Sequence, residues 1–540
     1  MKTALISVYH KDGIVEFAKE LVGLGFAIYA SGGTAKHLAS ADIKVIDVAT
    51  LVGGEAILGH RVVTLSREIH AGLLSRDIQE DIDELARLGI PCFDLVCVDL
   101  YPLEEEIAKP GSTKESVTEK TDIGGPTLIR SAVKGGRLVI CDPNDRQKVI
   151  DWLKAGEPDN GFLEQQAAKG EFIVARYIMN SAAYLTHSTT LRVNPEPVEG
   201  LSDGKYAGIL GEEIASCKYG ENAQQSPAGL FSSGTNDSLA LDKFKLIEGI
   251  APSYNNWCDI DRMLQTITHI AAAYAKNRNS VPFIAIGVKH GNACGAAVGD
   301  SKAEVVKKMM VGDPLAIFGG LIMTNFSVDE SVTEHLAGKL LDAIIAPSFS
   351  PEAIAALKRK GDKCRFIANE TLGSLDEKCL DSALRFRYVR GGFLRQPNYT
   401  FVLDLKNEEL QKYGMLSQKQ ENDLLLAWAI GTTSNSNTIA IVKNSQLLGN
   451  GVGQQDRVGA AKLAIERAHR SEHNLEGSVA YSDSFFPFPD GPKILIDAGI
   501  KAILATSGSI RDKETIDLCR EQNVALYMIP DAIGRGFFGH

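Results

Sequence analysis

The sequence predicts an α/β protein of more than one domain, and three observations carry that expectation. Short apolar, β-branched runs alternate with amphipathic stretches of helical period along most of the chain. The strand-like runs are almost continuously apolar, the pattern of parallel strands covered by helices on both faces. At 540 residues the chain also exceeds what one core ordinarily serves.

The elements follow in order. TALISV reads as a first strand, DGIVEFAKELVGLG as an amphipathic helix closed by a glycine, and FAIYA as a second strand. ASGGTAKHLASADI then gives a Gly-rich turn and a helix start. FDLVCVDLYP and RLVICDP are later strands with polar residues at their ends, and in such sheets ligands bind beyond the carboxyl ends of the strands. Over 191–213, LRVNPEPVEGLSDGKYAGILGEE loses all periodicity and reads as a linker between a domain at 1–190 and a region at 214–540. That second region is again mixed α/β, with strand-then-loop units in FIAIGVKHGNACG, LDAIIAPSFS, TIAIVKNSQLLGNGVGQ and KAILATSGSIRD, and its length suits two similar subdomains.

Composition narrows the function. A formal charge of −11 argues against a general nucleic-acid binder but leaves room for a small anion held by a few cations and backbone N–H groups. No apolar stretch approaches the ~20 residues of a spanning helix, and the apolar run near the N-terminus is too short for a signal peptide. The nine cysteines are scattered singly with no Cys-x-x-Cys pair, which implies reduced thiols, a soluble cytoplasmic protein and no metal framework.

Three groups of residues suggest chemistry. Ser31-Gly32-Gly33-Thr34 stands at a helix start, where free N–H groups and the helix dipole favour an anion, and Lys11 can share it. Tyr101 lies at a strand end, Asp122 before a Gly-Gly turn, and Lys134 near the end of the next helix. GVKHGNACGAAVG places Lys289 and His290 at a strand end among glycines. Each taken alone has an ordinary structural explanation: a capped turn, a packed tyrosine, a solvated lysine beside a satisfied histidine.

Taken together, SVYHKDG, ASGGTAKHL, LYPLEE and TDIGGPTLIRSAVK, then KYGENAQQ, SYNNWCDID, VKHGNACG, DPLAIFGG, VRGGFLRQ, GVGQQDR, SDSFFPFPDGP and SGSIRD, resemble the bifunctional purine-biosynthesis family. Its members join phosphoribosyl-aminoimidazole-carboxamide (AICAR) formyltransferase to inosine-monophosphate (IMP) cyclohydrolase. The resemblance runs in order over nearly the whole chain. It implies a methylglyoxal-synthase-like parallel-sheet domain followed by two cytidine-deaminase-like α/β subdomains without zinc. The implied reaction moves a formyl group from 10-formyltetrahydrofolate to AICAR, after which formyl-AICAR closes to IMP with loss of water.

Residue by residue, the resemblance places Lys289, His290 and Asn437 at formyl transfer and Tyr101, Asp122 and Lys134 at ring closure. An imidazole suits proton transfer near neutral pH and an ammonium suits a developing oxyanion. The nucleotide of the first domain falls to Ser7, Lys11, Ser31, Gly32, Gly33, Thr34, Arg61, Thr64 and Gly124. That of the second falls to Lys218, Tyr219, Asn256, Gly319, Asp342 and Arg535, with folate near Phe485, Asp490 and Ser509. A homodimer completing the transformylase site across its interface is also implied.

The chain departs from the family in places. Val63 stands where the family has an active-site lysine, and Ser66 and Arg67 replace a His-Pro pair. Tyr9, His10 and Asp99 are further departures in the same pocket, and Lys218 replaces an arginine. Arg67 and His10 are the substitute cations the sequence offers. The other reading is an active transformylase joined to an N-terminal domain that is impaired or only binds a ligand.

Overall fold

The run Lys2–Val8 (β1) buries Ala4, Leu5, Ile6 and Val8, so both of its faces need cover. In the computed structural model, which describes residues 2–54, 57–58, 62–190 and 207–539, it is the central strand of a five-stranded sheet. Its companions are Phe26–Ala30 (β2), Val45–Asp47 (β3), Leu95–Asp99 (β4) and Leu138–Ile140 (β5), in the order β3-β2-β1-β4-β5. Every neighbouring pair is parallel. Alternate β1 residues serve opposite cores: Ala4 and Ile6 join Ile14, Phe17 and Leu21 on one face, and Leu5 joins Phe93, Val96 and Ile129 on the other.

The helices around this sheet follow the sequence pattern. Ile14–Gly23 buries Ile14, Phe17, Ala18 and Leu21, the 3.6-residue stripe of an amphipathic helix. Gly124–Lys134 buries Leu128, Ile129 and Ala132 and packs against the long helix Gly161–Thr190. Lys169 of that long helix bonds Asp142 at 2.6 Å and Asp145 at 2.7 Å, fixing the loop after β5.

Residues 1–210 and 211–540 form separate compact units. The second begins with the hairpin Glu212–Cys217 (β6) and Ala228–Ser232 (β7), then Lys245–Glu248 (β8). Most of the expected linker lies outside the described residues, and the chain is already in β6 at Glu212.

The second unit has an internal repeat that no sequence match reveals. One half runs from the helix Tyr254–Arg278 through the hairpin Phe283–Lys289 (β9) and Asn292–Gly299 (β10) to Leu321–Thr324 (β11), Ala343–Ala346 (β12) and Arg365–Ala368 (β13). After a two-stranded ribbon, Leu384–Val389 (β14) and Gly392–Pro397 (β15), and the short Gln411–Tyr413 (β16), the other half repeats it. The helix Gln418–Thr432 leads to the hairpin Ile439–Lys443 (β17) and Gln446–Gly451 (β18), then Val479–Ser482 (β19), Ala502–Ser507 (β20) and Ala525–Pro530 (β21).

The halves join antiparallel through β10 and β18 into one twelve-stranded sheet, β16-β21-β20-β19-β17-β18-β10-β9-β11-β12-β13-β8. The two long helices pack on each other over its face and share a core with Ile260, Ile267, Leu424 and Trp428. Antiparallel joining has a functional consequence: the β9–β10 turn of one half lies at the same end of the sheet as the carboxyl ends of β19, β20 and β21 from the other. Among the described residues no helix is long and apolar enough to cross a membrane.

Candidate active sites

In the first unit a cavity of about 820 Å³ opens at the carboxyl ends of β1, β2 and β4. Ser7, Lys11, Ser31, Gly32, Gly33 and Thr34 line one end of it; Thr64, Tyr101, Asp122 and Gly124 line the other. The Ser7 and Ser31 hydroxyls are 3.4 Å apart, and Lys11 Nζ donates to Thr34 Oγ1 at 3.1 Å and to the Val8 carbonyl. Burial pushes the Lys11 ammonium below its ordinary value, with Asp99 opposing. Ser31 makes no side-chain cap on the helix Gly32–Ala39, and its carbonyl takes the Thr34 and Ala35 N–H groups, which leaves those of Gly32 and Gly33 for an anion. Gly32 has φ 44°, a left-handed conformation that favours glycine.

Asp122 is held by backbone. Its Oδ1 accepts from Gly125 N–H at 2.8 Å and its Oδ2 from Tyr101 N–H at 3.4 Å. Burial outweighs these bonds and raises its carboxyl, while burial and the Asp122 charge raise the Tyr101 hydroxyl. A Cβ on Gly125 would lie 2.5 Å from Asp122 Oδ2, and one on Gly124 would lie 2.8 Å from Thr64 Oγ1. The Gly-Gly pair is therefore needed for close approach. The geometry offers an anion cradle at one end and an acid–base pair at the other.

Some expected members lie elsewhere. Lys134 ends the helix that starts at Gly124, so ten residues of rise carry it about 15 Å from the cavity mouth. The structure does not bring it together with Tyr101 and Asp122. Arg67 is 77% exposed and paired to Glu68, and His10 is exposed; neither lines the cavity, whereas Val63 does as an apolar wall. Arg61 lies outside the described residues.

Two residues escaped the sequence reading. Tyr177, in the long helix, accepts the Asp122 N–H at 2.6 Å and donates to the Lys120 carbonyl at 3.0 Å. Lys120 Nζ in turn donates to the Tyr9 hydroxyl at 2.8 Å. Nothing local marks Tyr177, whereas Lys120 sits two residues before Asp122 in a stretch already singled out.

In the second unit His290 and Gly291 form the two-residue turn between β9 and β10, with φ 54° and 73°. Positive φ at both central positions is the primed turn that suits hairpin twist. Gly291 N–H donates to Asp259 Oδ1 at 2.6 Å, so the helix Tyr254–Arg278 holds the turn from below. Burial raises Asp259, the nearby His290 and Arg262 opposing. Lys289 Nζ donates to the Phe318 carbonyl at 2.6 Å and lies beside Gly319. Asp342 N–H donates to the Gly320 carbonyl at 3.0 Å, which brings Asp342 into the same neighbourhood.

Asn437 reaches this edge from the other half. Asn292 Oδ1, just past the turn, accepts the Asn435 N–H at 3.1 Å, and Asn437 Nδ2 donates to the Gln454 carbonyl at 2.9 Å. The Ser436–Asn437 peptide is cis. Asn256 is buried in a capping box, its Oδ1 accepting from Ser253 N–H and its own N–H donating to Ser253 Oγ, both at the start of the same helix. Lys218 and Tyr219 are exposed on the loop that Asn255 ties to that helix through the Glu221 carbonyl.

The expected folate residues gather at the ends of β19 and β20. Phe485 lies against Gly508, next to Ser509, whose hydroxyl accepts the Arg511 N–H at 3.1 Å. Asp490 opens the helix Asp490–Asp497 with Oδ1 on the Gly491 N–H. Arg535 points instead to Asp531, at 3.5 Å, and to a separate cavity of about 530 Å³ with Asn398 and Tyr399. Arg262 and Arg385 both lie against the Phe538 ring, 4.3 and 3.6 Å from its centroid.

An anion cradle facing an acid–base pair in one unit, and a Lys-His turn facing polar strand ends in the other, define a two-site enzyme of small anionic substrates. The family described as AICARFT/IMPCHase bienzyme matches residues 136–467, and the MGS-like domain matches residues 13–127. The bifunctional purine biosynthesis protein PurH of Aquifex aeolicus (strain VF5) is 34% identical over 531 residues, covering 97% of this chain and 98% of its own. The chain belongs to this bienzyme family, which couples AICAR formyltransferase to IMP cyclohydrolase in purine biosynthesis. A solved structure titled "Crystal structure of ForH" is 32% identical, covers 34% of this chain and 95% of its own, and superposes with a TM-score of 0.31.

Proposed function

We propose that the two activities of the bienzyme divide between the two units: formyl transfer to AICAR at the Lys289–His290 turn, and closure of formyl-AICAR to IMP in the 820 Å³ cavity. The observation that carries this reading is the antiparallel joining of the repeats, which gathers Lys289, His290 and Asn437 along one sheet edge with Phe485 and Ser509. In formyl transfer the AICAR amine attacks the formyl carbon of 10-formyltetrahydrofolate, and the bond from that carbon to the folate nitrogen breaks. His290 takes the amine proton, Lys289 stabilises the tetrahedral oxyanion, and the leaving nitrogen is protonated. Asn437, its amide fixed by Gln454, orients the substrates.

In ring closure the carboxamide nitrogen bonds to the formyl carbon and the formyl oxygen leaves as water, with one proton from each of the two nitrogens. Asp122, raised by burial, receives the carboxamide proton, and Tyr101 donates toward the oxygen. The Ser31–Thr34 turn and Lys11 hold the phosphate.

A homodimer is part of this reading. The β14–β15 ribbon exposes Tyr388 at 82% and Leu394 at 60% beside several arginines, a surface suited to a second copy of the chain. A cytoplasmic setting fits the free cysteines and folate-dependent chemistry.

The test is a product analysis. Purified protein is given AICAR and 10-formyltetrahydrofolate, and formyl-AICAR and IMP are separated over time. Formyl-AICAR that rises and then drains into IMP is the expected result. Formyl-AICAR alone would leave the N-terminal unit a binding module, and no formylated product would overturn the assignment of both sites.

A further inference from the structure

Around the ring-closing cavity one phenol has no role in the scheme above. Tyr9 lines the cavity, and its ring meets Tyr101 edge-on with centroids 5.3 Å apart. Its oxygen accepts a hydrogen bond from Lys120 Nζ at 2.8 Å, and the same ammonium lies 4.8 Å from the ring centroid. A phenol oxygen that accepts from a cation still has its own O–H to donate, and the cation strengthens that donor through the shared oxygen. Lys120 is fixed as well: Tyr177 bridges its carbonyl to the Asp122 N–H. One buried tyrosine thereby positions both the acid–base carboxylate and the lysine that feeds Tyr9.

Among the described residues, Lys11 and Arg67 leave this place to Lys120. Lys11 is engaged by Val8 and Thr34 at the phosphate end, Arg67 is paired outside the cavity, and Val63 offers an apolar wall. The groups facing Lys120 are Tyr9, Tyr101 and Glu106, and the hydrogen bond to Tyr9 is foremost in raising its ammonium above the ordinary value.

We propose that Tyr9 is a second hydroxyl donor of the ring-closing reaction and that Lys120 is its positioning residue, the ammonium acting on substrate through the phenol. This rests on the cavity being the cyclohydrolase site. As the carboxamide nitrogen bonds to the formyl carbon, charge grows on the formyl oxygen. Tyr9 O–H and Tyr101 O–H both donate to that oxygen until it leaves as water with the two nitrogen-borne protons. Neither tyrosine is ionised at the end of the turnover.

The test follows cyclisation of formyl-AICAR by the full chain, with formyl transfer measured on the same preparations. Tyr9→Phe removes one oxygen and should lower kcat for cyclisation by about 10²-fold, the usual effect of losing an oxyanion donor, with KM within about twofold. Lys120→Met should lower kcat about tenfold with the same split, and Lys120→Arg, which keeps the cation, should restore most of it. Because Lys120 acts through Tyr9, the double variant should be no slower than Tyr9→Phe alone. Formyl transfer should be unchanged throughout.

Wild-type kcat in Tyr9→Phe, or losses that multiply in the double variant, would overturn the proposal while leaving the site assignment intact. A wild-type chain that transfers formyl but does not cyclise would overturn the site assignment and the proposal together. Should Lys120→Met fail to fold, Tyr9→Phe and Lys120→Arg decide the question.

Discussion

Asp122 shows how a single residue trades stability for chemistry. Its carboxyl is raised chiefly by burial, despite the N–H groups of Gly125 and Tyr101. A folded-state value above the unfolded one means the native state holds the proton more tightly, so the stability contribution is full below the unfolded value and lost as pH rises through the folded one. At neutral pH the charged, buried carboxylate therefore opposes folding. Asp122→Asn should hold or raise the melting temperature at pH 7 while lowering cyclisation by about 10²–10⁴-fold, as measured by thermal melts and formyl-AICAR turnover. The acid limb of the wild-type rate should lie above the value of an exposed aspartate. Tyr101 and Asp122 were legible because a strand-end tyrosine and an Asp-x-Gly-Gly turn are local features. Lys120 was not, because its significance depends on Tyr9, more than a hundred residues earlier.

At the scale of elements, the β9–β10 turn and the loop after β5 make different demands. His290 combines a reactive ring with a left-handed backbone, φ 54°. Asn tolerates that backbone, so His290→Asn should fold normally and lose at least about 10²-fold in formyl transfer, read by melting and by formyl-AICAR formation. Gly291→Ala should instead destabilise by about 1–2 kcal/mol, because alanine resists φ 73° and its Cβ would lie 3.2 Å from Arg262 Cγ. In the first unit burial pushes the Asp145 carboxyl up, but Lys169 and Lys148 outweigh it and hold the group below its ordinary value. That stability is present above the unfolded pKa and lost as pH falls through the folded one. Lys169→Met should destabilise the protein by roughly 2 kcal/mol at pH 7 and by less in acid, as measured by denaturation across pH. Both strands were predicted from their apolar runs, although Asn292–Gly299, read as part of a loop, is the returning strand β10. Their bracing was not, since Asp259 and Lys169 sit in helices whose patterns show only burial.

For the whole molecule, units with their own separate cores imply separable activities. Ring-closing variants should accumulate formyl-AICAR at the wild-type rate of formyl transfer. The ribbon carries the assembly prediction: Tyr388→Asp with Leu394→Asp should shift the protein from dimer to monomer in sedimentation and lower formyl transfer, without affecting cyclisation of supplied formyl-AICAR.

The sequence by itself determined the α/β class, the parallel first sheet, the Gly-rich turn at a helix start and the adjacency of Lys289 and His290, because each is written in periodicity or in neighbouring residues. Only the tertiary structure decided which of these meet. A helix carries Lys134 about 15 Å from Asp122, although twelve positions separate them in sequence. The antiparallel union of two repeats brings Asn435, two residues before Asn437, to Asn292 beside the Lys289–His290 turn, although 143 positions separate them. Helical rise and strand register convert chain distance into space by rules that operate between elements, and no single stretch of residues contains them.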